Sequence, residues 1–81
     1  MKRGRILVTV EKGMFESERS VSFDGVGQTY LLVVDEHDVR DGKLEVGILA
    51  EALDTLLVVL PKDTFTSGST VRVSKAAVEV F

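Results

Sequence analysis

The side chains best equipped for chemistry sit in one polar run, Asp35-Glu36-His37-Asp38-Val39-Arg40-Asp41-Gly42. His37 is the only histidine, so proton transfer near neutral pH would fall to it. No serine, threonine or cysteine stands beside it as a nucleophile. The flanking carboxylates favour its charged form. Asp35, Glu36, His37, Asp38 and Asp41 are also ligand types that divalent cations accept. Their spacing does not match an EF-hand loop, and neighbours on a turn point in different directions. The run therefore reads as a solvated turn, with Asp35 capping it, Glu36 and Asp38 in the first turn and Gly42 closing it. Glu16 with Glu18, or Glu36 with Asp38, could serve as a hydrolase dyad only inside a cleft, which a domain this small seldom encloses. The expectation is a protein that is not an enzyme, with no metal site and no cofactor.

Two further motifs bear on ligands. Asp24-Gly25-Val26-Gly27 contains G-x-G, but a strand follows it, whereas a phosphate cradle needs a helix N-terminus or nest behind the glycines. Asp-Gly is instead a strong hairpin signal, because a type I′ turn needs positive φ, and Gly25 is expected to hold it. The basic residues Arg3, Arg5, Arg40, Lys43, Arg72 and Lys75, with Lys2 near the first of them, would form a nucleic-acid rim if they gathered on one side, with Tyr30 or Phe15 as a stacking partner. Ten basic residues against thirteen acidic ones give a net charge of −3, which opposes phosphate binding as the default.

At 81 residues the chain is expected to be one domain, residues 1–81, near the lower end of what one core can stabilise. Apolar content of 44% and charged content of 28% suit a soluble globular protein. There is no cysteine, so disulfides and thiolate metal sites are excluded, and a cytoplasmic location is favoured. The basic start Met1-Lys2-Arg3-Gly4-Arg5 is followed by too short an apolar run for a signal peptide core, and no segment is long enough for a membrane span.

Alternation of apolar and polar residues places strands at residues 5–12, with Ile6, Val8 and Val10 on one face, and at 19–24, with Val21 and Phe23 inward. Strands follow at 28–35, at 43–52 and at 55–60, where Pro61 is expected to stop the ladder. Residues 48–57 also contain good helix formers, but period 2 favours strand there. A loop over residues 62–69 leads to a strand at 70–73, a single 3₁₀-type turn at 74–77 and a short closing strand at 78–81. The predicted fold is all-β: a small antiparallel barrel or strongly bent sheet of five to six strands, with at most one short helical turn.

The ending Thr70-Val71-Arg72-Val73, Ser74-Lys75-Ala76-Ala77, Val78-Glu79-Val80-Phe81 resembles that of small SH3-like barrels: strand, 3₁₀ turn, short strand. The resemblance covers about the last 40 residues and rests on spacing. The chain lacks the aromatic cluster of peptide-binding SH3 domains, having no Trp and one Tyr, so the resemblance implies a fold and no function.

Tyr30-Leu31-Leu32-Val33-Val34 and Leu56-Leu57-Val58-Val59-Leu60 are apolar at every position. A strand apolar on both faces needs cover on both, and a short chain has little to offer. With Tyr30, Leu32, Val34, Leu56, Val58 and Leu60 inward, the outer face presents Leu31, Val33, Leu57 and Val59. Burial of such side chains contributes roughly 1.5–3 kcal/mol each. The expectation is a protein-interaction or structural module acting through this face, most simply as a homodimer.

Overall fold

Period-2 alternation dominates the computed structural model, which describes residues 1–81. The strands are β1 (Lys2–Leu7), β2 (Thr9–Lys12), β3 (Glu18–Asp24), β4 (Thr29–Asp35), β5 (Val39–Arg40), β6 (Lys43–Glu51), β7 (Thr55–Thr64), β8 (Gly68–Ser74) and β9 (Val78–Val80). Single 3₁₀ turns precede β5 (Glu36–Asp38) and β9 (Lys75–Ala77). The larger sheet has the order β8-β7-β6-β1-β9, with β5 added beside β6, and the smaller is β2-β3-β4. All pairings are antiparallel.

The chain is therefore all-β, but with nine strand segments in two sheets rather than five or six strands in one barrel. There are two 3₁₀ turns, not one. The barrel is also not closed. The sheets are joined by covalent steps at Val8 and through Glu36–Asp38, and by isolated hydrogen bonds rather than a ladder: Val26 N–H to the Arg72 carbonyl (3.0 Å), Phe65 N–H to that of Leu31 (3.0 Å) and Val8 N–H to that of Gly42 (2.9 Å).

The expected first strand over residues 5–12 is two strands. Val8 belongs to neither ladder, at the point where the chain leaves β6 for β3. Ile6 and Val8 are buried, whereas Val10 lies at the rim, because β2 is an edge strand with all four residues exposed.

Pro61 does not end β7. Pairing with β6 lapses after Val59, and pairing with β8 lapses between Val59 and Thr64. Pro61 falls in that gap, where no neighbour needs the N–H it lacks. The expected loop over residues 62–69 shrinks to a turn. There the Thr64 hydroxyl donates to the Gly68 carbonyl and accepts from Ser67 N–H, both at 2.8 Å.

Gly25 does not hold positive φ. The tight hairpin is Asp41-Gly42, between β5 and β6, with φ of 55° and 76°, the pattern of a type I′ turn. Gly25 is required for a different reason. A Cβ there would meet Tyr30, with Cδ2 at 2.8 Å, and the Arg72 carbonyl oxygen at 3.0 Å.

Alternation sends the two inner faces into one core. Ile6, Leu44, Val46, Val58 and Val73 from the larger sheet meet Val21, Leu32 and Val34 from the smaller, all essentially inaccessible to solvent. Phe23 and Tyr30, partners across the β3–β4 ladder, pack with ring centroids 5.6 Å apart. No buried side-chain nitrogen or oxygen lacks a partner, so no polar burial penalty weakens the core.

Candidate interaction surface

The two fully apolar segments form β4 and the first half of β7, and strand alternation divides their side chains. Tyr30, Leu32, Val34, Leu56, Val58 and Leu60 are buried. Leu31 is 45% exposed, and Val33, Leu57 and Val59 are half-buried. The two pairs lie on different sheets: β4 is an edge of the smaller, while β7 is flanked by β6 and β8 in the larger.

Each pair has its own surroundings. Leu31 and Val33 lie opposite Ser22 and Ser20 of β3, so the apolar surface ends on hydroxyls to that side. To the other side, the second half of β7 runs along β4. Phe65 N–H bonds the Leu31 carbonyl, and the Lys62 ammonium lies close enough to Asp35 to favour its charged form. Phe65 is 68% exposed, which sets an aromatic ring on the turn beside Leu31. Sequence reasoning passed over Phe65 as a loop residue. It would have been found only by pairing the second half of β7 with β4, which Pro61 disguised.

Leu57 and Val59 are less exposed than an outer sheet face would leave them. Val59 pairs with Gly47 and Thr70, and Leu57 with Ala50 and Arg72. The Met1 side chain lies over Gly47, with its sulfur 2.9 Å from where a Cβ would stand. A register shift between Ile48 and Ala50 marks a bulge at Leu49, which is exposed near the same strands.

The basic residues do not share one rim. Arg3 donates through Nε and Nη2 to Glu45 Oε1 at 3.1 and 2.9 Å. Lys75 pairs with Glu51 at 2.9 Å, and Arg72 donates to Thr55 Oγ1 at 3.1 Å, at the far end of β7. Arg5, Arg40 and Lys43 do converge, on a cleft shared with His37, Asp38 and Glu45. The Arg5 guanidinium lies 4.5 Å from the centroid of the Phe81 ring. Lys43 is 3.5 Å from Glu79.

In the polar turn, Asp35 Oδ1 accepts from His37 N–H at 2.9 Å and lies 2.7 Å from His37 Nδ1. These two bonds, the backbone one foremost, hold the Asp35 carboxyl below its ordinary range. The same side-chain bond, then the charges of Asp35 and Glu36, raise the His37 imidazole above its usual value. No three His, Asp or Glu side chains gather as a metal-binding group. No helix is long and apolar enough to cross a membrane.

Comparison with protein-family models, curated proteins and solved structures finds no match to this chain.

Proposed function

We propose that this chain is a small, non-enzymatic interaction module of the SH3-like class that works through the outer faces of β4 and β7, with a second copy as its simplest partner. The observation that carries this is the Leu31–Phe65 pair. Leu31 of β4 and Phe65 of the turn after β7, far apart in sequence, are joined through their backbones, and both side chains are exposed. Solvated apolar groups of this size forgo stabilisation that a partner surface would restore. A two-fold contact lets one patch cover itself. The β8, 3₁₀ turn and β9 ending supports the SH3-like assignment. Light scattering of the purified chain at moderate concentration is the test: a dimer mass is expected, and a monomer across the concentration range overturns the self-association.

A further inference from the structure

We infer that the cleft between β1, the first 3₁₀ turn, β5 and β6 is an oxyanion subsite, shaped for one phosphate group as the free ion or as a monoester. Four cationic or protonatable side chains reach it from four separate elements: Arg5, His37, Arg40 and Lys43. Its volume of about 80 Å³ suits one small tetrahedral anion rather than a nucleotide.

The two guanidiniums decide the chemistry. Neither Arg5 nor Arg40 forms an ion pair or a side-chain hydrogen bond, although acidic residues outnumber basic ones in the chain. Arg5 lies instead over the face of the Phe81 ring, a contact that leaves its N–H groups unpaired. Two unpaired guanidiniums on one small cleft repel each other, and a bound oxyanion would relieve that repulsion through paired, charge-assisted hydrogen bonds.

The acidic residues of the cleft do not cancel this. Glu45 is engaged by both Nε and Nη2 of Arg3, and Glu79 draws on Lys43 from outside. Asp38 alone is an uncommitted carboxylate there, and it sets a specific expectation for the test. The half-buried positions of Arg5 and Lys43 keep part of the site away from bulk solvent, where charge pairing is stronger.

The experiment is a ¹H–¹⁵N NMR titration at low ionic strength with inorganic phosphate and, separately, O-phosphoserine, each against chloride at matched ionic strength. Saturable shifts confined to residues near Arg5, His37, Arg40 and Lys43 are expected. Arg40→Ala, an exposed side chain with no partner to lose, should weaken binding at least tenfold while leaving the spectrum folded. Asp38→Asn should tighten it several-fold. Tighter binding of O-phosphoserine than of phosphate assigns a monoester as the source, and the reverse order assigns the free ion. Shifts identical to those with chloride, or binding unchanged in Arg40→Ala, overturn the site.

Discussion

The backbone N–H of Phe65 donates to the carbonyl of Leu31 at 3.0 Å, joining the turn after β7 to the middle of β4. The bond fixes backbone, not side chains, so the exposed parts of both residues can be changed without disturbing it. Leu31→Glu and Phe65→Ser are each expected to alter stability by no more than about 0.5 kcal/mol, the usual range for exposed sites. Both should shift the proposed dimer toward monomer in sedimentation velocity. A dimer unaffected by either change would place the contact elsewhere.

Gly25→Ala is expected to destabilise the fold by about 1–3 kcal/mol, the typical cost of forcing atoms into a filled space. The Arg72 oxygen that its Cβ would approach also accepts from Val26 N–H, so backbone on both sides must shift. Gly27→Ala meets no neighbour but sits at φ 82°. Its cost is conformational, about 1–2 kcal/mol. Urea denaturation of the two variants separates crowding from strain: adding Asn at position 27, which tolerates positive φ, should recover much of the Gly27 loss, whereas Asn at 25 should not.

Asp41 is the one residue other than glycine with positive φ. Asp41→Asn should therefore keep or slightly raise the melting temperature, since Asn-Gly is a preferred type I′ pair. Gly42→Val should lower stability by about 1–2 kcal/mol, because β-branching is strained at φ 76°. A thermal melt in which Gly42→Val matches the parent would refute the role assigned to this turn.

The Asp35–His37 pair gives a signed pH dependence. The pKa of His37 is raised from 6.5, so its contribution is complete below that value and is lost as pH rises through the folded pKa. The pKa of Asp35 is lowered from 3.8, so its contribution is present above that value and is lost as pH falls through the folded one. The pair is strongest between the two, in mildly acidic solution. An NMR titration of His37 should give a midpoint above 6.5 in the parent, moving down in Asp35→Asn, whose amide oxygen can still cap the turn. An unmoved midpoint would contradict the assigned cause.

Much of the β-structure was legible because alternation is a local property. Val21, Phe23, Leu44 and Val46 follow from period 2, and so does strand rather than helix over residues 48–51. By contrast, β4 and the first half of β7 are apolar throughout, and their two faces alternate only through strand geometry. What failed depended on partners. Asp24-Gly25 and Asp41-Gly42 are the same dipeptide; the first opens a longer loop between paired strands, with positive φ at Gly27, and only the second is the tight turn itself. Pro61 forbids a donor, yet whether a donor is needed there depends on β6 and β8 having already let go. The break at Val8 leaves no mark in composition, because it reflects a change of neighbours. For the candidate surface, the four outward residues could be named from sequence, but their division between two sheets and the addition of Phe65 could not.

The position of β1 has a consequence for how the chain reaches this structure. The β3–β4, β6–β7 and β7–β8 pairs are hairpins that can close locally within microseconds. β1 has no such option. Its partners are β6, about forty residues on, and β9, more than seventy residues on. The N-terminal segment must therefore wait, unpaired, until distant strands are in place, and its pairing closes long loops. Such non-local closure slows folding and lengthens the exposure of unpaired edges. The charged opening Lys2, Arg3 and Arg5 stands at the stretch of chain that waits longest, where charge discourages pairing with the wrong strand.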